Sequence, residues 1–246
     1  MSGKLENKIA IVTGGTGALG RHIVNKFVDE GAKVYVPSTS LESFNDVFDN
    51  SQNYDGGEFK VKKIFSFVCD ATNENSVKDF VESVSVQEQD RIDFLINTVG
   101  GIHGNISIDS LSTDDFNKFM SLNFFSTFFF SREVLKIMQK NNYGRIVSIG
   151  AIAALQTTVG KFAYSVSKQA VINLMNTISS ENKDLNIRAN TIVPGIIDTP
   201  ANRQWGSEDE VKKWVKPTDI ANIIVDFLKP DHDSVRESII KVYGSF

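Results

Sequence analysis

Residues 8–36 read KIAIVTGGTGALGRHIVNKFVDEGAKVYV. Lys8-Ile-Ala-Ile-Val12 is a short apolar run ending in a glycine cluster, the pattern of a buried strand. Ile23, Val24, Phe27 and Val28 then fall at helical spacing, with Gly31 where a helix would end. Lys33-Val-Tyr-Val36 is a second strand. The unit is therefore β-α-β, and Thr13-Gly-Gly-Thr-Gly-Ala-Leu-Gly20 lies directly between its first strand and its helix. Glycines let the backbone turn tightly there and approach a pyrophosphate, while the helix N-terminus presents N–H groups to its negative charge. Alone, such a stretch is only a strand-to-helix turn. Its place inside a βαβ unit points to a dinucleotide.

The alternation continues to the end of the chain. Leu41, Phe44, Val47 and Phe48 suggest a second helix, and Asn50 to Glu58 a polar loop with Gly56-Gly57. A strand runs through Ile64 to Val68, followed by a helix carrying Val77, Phe80, Val81 and Val84. Asp93–Val99, Arg145–Ile149, Ile187–Val193 and Ser238–Val242 are four more strand candidates, with helical stretches near 114–140 and 164–182 between them. This order predicts an α/β fold, a Rossmann-type doubly wound sheet of about seven parallel strands with helices on both faces. The 246 residues suit one such domain, spanning 1–246, and no repeat or linker divides it.

Composition narrows the function classes. Net charge is −4 and the longest basic run is Lys60-Val61-Lys62-Lys63, read as a solvated strand end, so nucleic acid is not an expected partner. One cysteine, Cys69, allows no internal disulfide and fits a reducing, cytoplasmic setting. The start, MSGKLENKIA, lacks the apolar core of a signal peptide. The most apolar run, Phe124 to Phe130, is too short to span a bilayer. The three histidines, His22, His103 and His232, have no metal-ligand spacing, so no metal is expected.

Tyr164 and Lys168 are four apart on a helix and share a face. A tyrosine near its ordinary pKa of about 10 is a poor acid-base group at neutral pH. A nearby ammonium and an oxidised nicotinamide would lower that value. By themselves the two residues are better read as a buried tyrosine beside a snorkelling lysine. In company with the upstream motifs they point to proton transfer alongside a hydride.

Taken in order, these motifs resemble the short-chain dehydrogenase/reductase family over essentially the whole chain. Gly14, Gly17 and Gly20 fit the T-G-x-x-G-x-x-G spacing of its extended members, with Ala18 where compact members carry their middle glycine. The remainder resembles the compact branch: Asp70 after the third strand, Asn97-Thr-Val-Gly100 after the fourth, Asn123 in a long helix, Tyr164-x-x-x-Lys168, and Pro194-Gly195 leading to Thr199. The resemblance implies that Gly14, Thr16, Gly17, Leu19, Gly20 and Gly100 lie along the cofactor. It also implies that Asp70 holds the adenine, Asn97 buttresses the central strand, and Pro194, Gly195, Ile197 and Thr199 meet the nicotinamide end. Tyr164 would supply the proton, Lys168 would tune it and hold the ribose, and Asn123 would line a water chain. A substrate lid is expected near 196–216. Helices 114–140 and 164–182 would pair between chains, giving a homodimer or homotetramer. The phenylalanines Phe116, Phe119, Phe124, Phe125, Phe128, Phe129 and Phe130 exceed one apolar stripe and suit that pairing.

One position departs from the family. The serine that usually assists the tyrosine, thirteen residues earlier, is Ala151 here. Ser148 is close, but an odd offset along a strand turns it to the other face. Losing one donor to a developing oxyanion costs about 2.7–4 kcal/mol. Thr157, Thr158, His103 or a water could take over, or the substrate could need no donor. Gly150-Ala-Ile-Ala-Ala-Leu155, the glycine loop and Asp198-Thr-Pro-Ala-Asn-Arg203 are similar to the dihydropteridine reductase branch, which also lacks the serine and acts on a quinonoid ring. Arg203 could meet an anionic substrate, or be an ordinary exposed loop arginine, and Trp205 sits in the same lid. After the second strand no acid accepts from a ribose 2′-hydroxyl, and Ser38, Thr39 and Ser40 could donate to a 2′-phosphate. NADP(H) is favoured over NAD(H), although the dihydropteridine reductase likeness favours NADH. The expected function is NAD(P)H-dependent reduction of a small carbonyl substrate. Alternatives are reduction of a quinonoid substrate, and a degenerate cofactor-binding regulator.

Overall fold

The computed structural model describes residues 3–48, 63–102, 104–229 and 232–245, with the backbone of Tyr54–Asp55 and Glu58–Phe59. Seven strands form one parallel sheet: β1 Ile9–Thr13, β2 Lys33–Ser38, β3 Ile64–Val68, β4 Phe94–Asn97, β5 Tyr143–Ile149, β6 Asn186–Pro194 and β7 Ile239–Val242. Their order across the sheet is β3-β2-β1-β4-β5-β6-β7. Ile11 pairs with Tyr35 on one side and Leu95 on the other, so β1 is the strand at which the order reverses. A doubly wound sheet opens a crevice at that point, beyond the strands' carboxyl ends.

Strand parity explains the apolar runs. Ala10 and Val12 face one layer, where Ile23, Val24 and Phe27 of α1 (Gly20–Asp29) pack with Ile220, Ile224 and Val225 of α9 (Pro217–Phe227). Ile9 and Ile11 face the other, with Val77, Phe80 and Val84 of α3 (Glu74–Gln87), Phe130 and Val134 of α5 (Ser126–Asn141) and Met175 of α6 (Phe162–Glu181). With helices on both sides, every residue of β1 is buried and no alternation survives in the sequence.

Several boundaries differ from expectation. The second helix, α2, is only Leu41–Asn45, capped by Ser40 accepting from the Ser43 amide; Phe48 is buried beyond its end. The polar loop contains a two-rung antiparallel ribbon, Tyr54–Asp55 against Glu58–Phe59. The rest of that loop, with Gly56, Gly57 and residues 60–62 of the basic run, lies outside the described residues, as does His103. Lys63 donates to the Gly31 carbonyl. β4 stops at Asn97 because Thr98 leaves the ladder: its N–H donates to Thr13 Oγ1 (3.1 Å) and its hydroxyl to the Thr13 carbonyl (2.6 Å). The long helix expected near 114–140 is α4 (Thr113–Met120) and α5, joined by a π-helical turn at Ser121–Phe125. Two further short helices, α7 (Pro200–Arg203) and α8 (Glu208–Val211), follow β6. Among the described residues no helix is long and apolar enough to cross a membrane.

Candidate active site

The glycine loop is shaped by contacts that leave no space for side chains. Gly14 has φ +63°, and a Cβ there would lie 2.9 Å from Thr98 Oγ1. A Cβ on Gly20 would lie 2.1 Å from the Gly14 carbonyl oxygen, and the Gly17 amide donates to that same oxygen at 2.9 Å. Over Gly17, by contrast, an added Cβ meets only Gly14 O, at 3.1 Å. The first turn of α1 has no side-chain cap and no acidic residue. Thr16 and Leu19 lie in this uncapped turn before α1, whose helix N-terminus suits a diphosphate. Arg21, which the motif reading passed over, folds back on the loop and donates to the Gly17 and Thr16 carbonyls, both at 3.3 Å.

At the end of β2, Ser38 turns inward. Its hydroxyl donates to the Ser40 carbonyl (3.0 Å) and also lies 2.8 Å from Ser66 Oγ, whereas Thr39 is exposed. Asp70 is exposed, its Oδ1 accepting from the Thr72 amide (2.9 Å) and hydroxyl (2.7 Å). Asn97 is buried and donates to Ser131 Oγ (3.2 Å) and Ser148 Oγ (3.1 Å), tying β4 to α5 and β5. Ser148 in turn donates to Met175 Sδ (3.1 Å), so it sits in the α5–α6 layer.

The π-turn places Asn123. Its Oδ1 accepts from the Gly101 amide (2.9 Å), and its Nδ2 donates to the Gly101 and Phe119 carbonyls (both 3.1 Å). Ser126 and Thr127 donate to the Leu122 and Asn123 carbonyls, so side chains supply donors where the regular ladder is interrupted. Gly100 passes between Asn123 and α6: a Cβ on it would lie 2.7 Å from Asn123 Oδ1 and 2.8 Å from Lys168 Nζ. These three residues, far apart in sequence, therefore form one cluster, and Tyr164 stands one helical turn from Lys168.

Burial governs the charges. Lys168 is 5% exposed and donates from Nζ to the Ile149 carbonyl at 2.9 Å; burial lowers its pKa to about 8. Tyr164 meets Phe119 edge to face, with centroids 6.5 Å apart, and burial pushes its pKa up to about 12. The expected lowering is absent from the protein by itself, because desolvation of the phenolate dominates and the Lys168 ammonium is directed to Ile149. A phenol in this state holds its proton at neutral pH.

Ala151 is buried, extended, and opens a short 3-10 turn at Ile152–Ala154; Thr157 and Thr158 are exposed. A clasp with no signature in the sequence joins two of the loops. Lys161 Nζ donates to the Gly104 carbonyl (2.5 Å) and the Ile106 amide to the Gly160 carbonyl (2.9 Å), joining the loop after β4 to the start of α6.

The segment 196–216 is closed at its base by the Asp198 amide on Val215 O and the Val215 amide on Ile196 O. Ile197 faces Val215 across that bridge, and Gly195 donates to Val242 O at 2.8 Å. Pro194 ends β6, and Thr199 caps α7 by accepting from the Asn202 amide. Arg203 is bidentate to Asp198, at 2.5 and 2.7 Å, so its charge is already paired.

Comparison with known proteins agrees with this geometry. Residues 8–210 match the family model described as short chain dehydrogenase. A 7alpha-hydroxysteroid dehydrogenase of Clostridium sardiniense is 30% identical, covering 99% of this chain and 94% of that one. The 3-oxoacyl-acyl-carrier-protein reductase FabG of Thermotoga maritima is 27% identical, covering 98% of each. An NAD+-bound xylitol dehydrogenase superposes with a TM-score of 0.87 at 25% identity, covering 98% of this chain and 100% of that one. ElxO with NADP bound gives 0.85 at 25% identity, covering 96% and 97%. Sheet order, glycine loop and matched relatives lead to one assignment: the chain belongs to the short-chain dehydrogenase/reductase family and is an NAD(P)-dependent oxidoreductase.

Proposed function

We propose that residues 1–246 form one catalytic unit that reduces a carbonyl group to an alcohol, with 196–216 as its lid. The observation that carries this reading is the cluster at Gly100, where Asn123 and Lys168 lie within a methyl group's reach of one backbone position. Reduced nicotinamide, when bound, supplies the hydride for the carbonyl carbon. Tyr164 gives its phenolic proton to the carbonyl oxygen, a role suited to a group that stays protonated at neutral pH. Lys168 holds the cofactor ribose and, once its ammonium turns from the Ile149 carbonyl toward Tyr164, stabilises the phenolate left behind. Asn123 fixes the Gly101 backbone beside them and orders the path by which Tyr164 regains a proton.

The glycine cradle, Thr16, Leu19, Asp70, Gly100, Pro194, Gly195, Ile197 and Thr199 hold the cofactor. Asn97 acts from behind by fixing β4. NADP(H) is favoured over NAD(H): no acid follows β2 to repel a 2′-phosphate and Thr39 is exposed there, while Ser38 is committed internally. The chain works as a homodimer or homotetramer. Support comes from the aromatic face of the long helix, where Phe124 stacks on Phe128 and Phe125 on Phe129 with Phe125 open. Buried Cys69, raised in pKa by burial, suits a reducing cytoplasm.

Ala151 favours a second reading, in which the substrate is a quinonoid ring that accepts hydride without a second donor. Cofactor oxidation by wild type and Ala151→Ser, measured with a simple ketone, a 3-ketoacyl thioester and a quinonoid dihydropterin, separates the two. Carbonyl reduction predicts turnover of ketone or thioester, faster in Ala151→Ser by up to about 10²–10³-fold. Rapid pterin turnover that the serine does not improve moves the assignment to the quinonoid class. Absence of turnover with all three leaves the regulator reading.

A further inference from the structure

Three loops leave the carboxyl ends of β4, β5 and β6, the edge of the sheet where the crevice opens, and each leaves large apolar side chains open. Ile102 and Ile108 follow β4, Leu155 and Val159 follow β5, and Ile196 and Trp205 follow β6; each is between 39% and 92% exposed. Single exposed apolar residues are ordinary on a surface, but six on loops that converge on one catalytic end call for a partner. The first two of these loops are held to each other by Lys161 on the Gly104 carbonyl and by the Ile106 amide on the Gly160 carbonyl, and Asn123 fixes Gly101.

Beside these apolar side chains, up to Trp205, the charges are turned to the protein itself. Arg203 is paired with Asp198, Lys161 with the Gly104 carbonyl, and the Asp109 carboxylate with the Ser107 side chain and nearby amides. Trp205 rests on Trp214, with ring centroids 4.9 Å apart. Trp214 is itself buried, with no room for a Cβ on Gly206 against its ring. Trp205 therefore has a fixed platform beneath it and an open outer side.

We infer that this mouth takes the apolar skeleton of an uncharged ketone or secondary alcohol several carbons long, with Trp205 as a specificity-determining residue that covers it. This rests on the reductase reading for the reacting oxygen, whereas its test is a binding measurement that needs no turnover. Primary amides from butanamide to octanamide have the shape of methyl ketones and are not reduced. Their affinities for the wild-type protein saturated with NADPH would be measured by calorimetry. Affinity should rise about fourfold per added methylene, the equivalent of about 0.8 kcal/mol each. Trp205→Ala, and separately Leu155→Ser, should flatten that slope without altering NADPH affinity.

A flat series in the wild-type protein, or tighter binding of a carboxylate-tipped or polyhydroxylated amide of equal length, overturns the inference. So does an unchanged slope in both variants. Failure of the reductase reading shows separately, as no NADPH oxidation with any ketone despite a rising amide series.

Discussion

Replacing Lys168 with methionine isolates what the buried cation costs the fold. Lys168 has a native pKa of about 8 against an ordinary 10.5, with burial as the cause. A lysine whose native pKa lies below its unfolded value binds fewer protons when folded, so stability rises with pH between the two values. The full cost is present below about pH 8 and has mostly gone by 10.5. Those two values give a change on the order of 2–3 kcal/mol between pH 7 and pH 10. Lys168→Met keeps the stem and removes the charge. It also removes the bond to the Ile149 carbonyl, but that loss applies at both pH values, since a neutral amine donates as well. Urea unfolding of both proteins at pH 7 and pH 10 gives the double difference, in which the other titrating groups cancel. Wild type should gain roughly 2–3 kcal/mol on the variant as pH rises. A difference that stays constant within about 0.5 kcal/mol would mean the ammonium is solvated, and the buried cluster at Gly100 would be misdescribed.

Three further outcomes follow from the same contacts. Gly100→Ala puts a methyl group 2.7–2.8 Å from Asn123 Oδ1 and Lys168 Nζ, and the required displacement should lower kcat about 10- to 100-fold with the circular dichroism spectrum intact; full activity would contradict the clash. Gly20→Ala drives a Cβ to 2.1 Å from the Gly14 oxygen, so NAD(P)H affinity by fluorescence titration should fall about tenfold or more, and an unaltered affinity would remove the glycine cradle from the cofactor site. Light scattering at micromolar concentration should give a dimer or larger, dissociated by Phe125→Asp; a monomeric wild type sinks the proposed helix pairing.

The parallel sheet was legible because strands covered on both faces read as uninterrupted apolar runs, as Ile9–Thr13 does. The glycine loop and Tyr164-Lys168 were legible because backbone approach and helical spacing constrain residue identity directly. The π-turn was not. Ser126, Thr127 and Asn123 are unremarkable helix residues until their side chains are seen meeting the Leu122, Asn123 and Phe119 carbonyls. The rise in the Tyr164 pKa was hidden too, because it depends on depth and on where Lys168 finds its acceptor. Ser38 could have been placed by register: it ends a strand paired to β3, and its hydroxyl finds Ser66 on that neighbour. Arg203 carried its own signal in Asp198, five residues earlier on the loop that opens α7.

The most direct measurement is single-turnover NADPH oxidation by wild type and Tyr164→Phe, with a carbonyl substrate that the wild type reduces and with NADPH affinity measured in parallel. If Tyr164 is the proton donor, the hydride-transfer rate falls about 10²–10⁴-fold while NADPH binds as before. A variant that turns over near the wild-type rate would show that the proton comes from elsewhere.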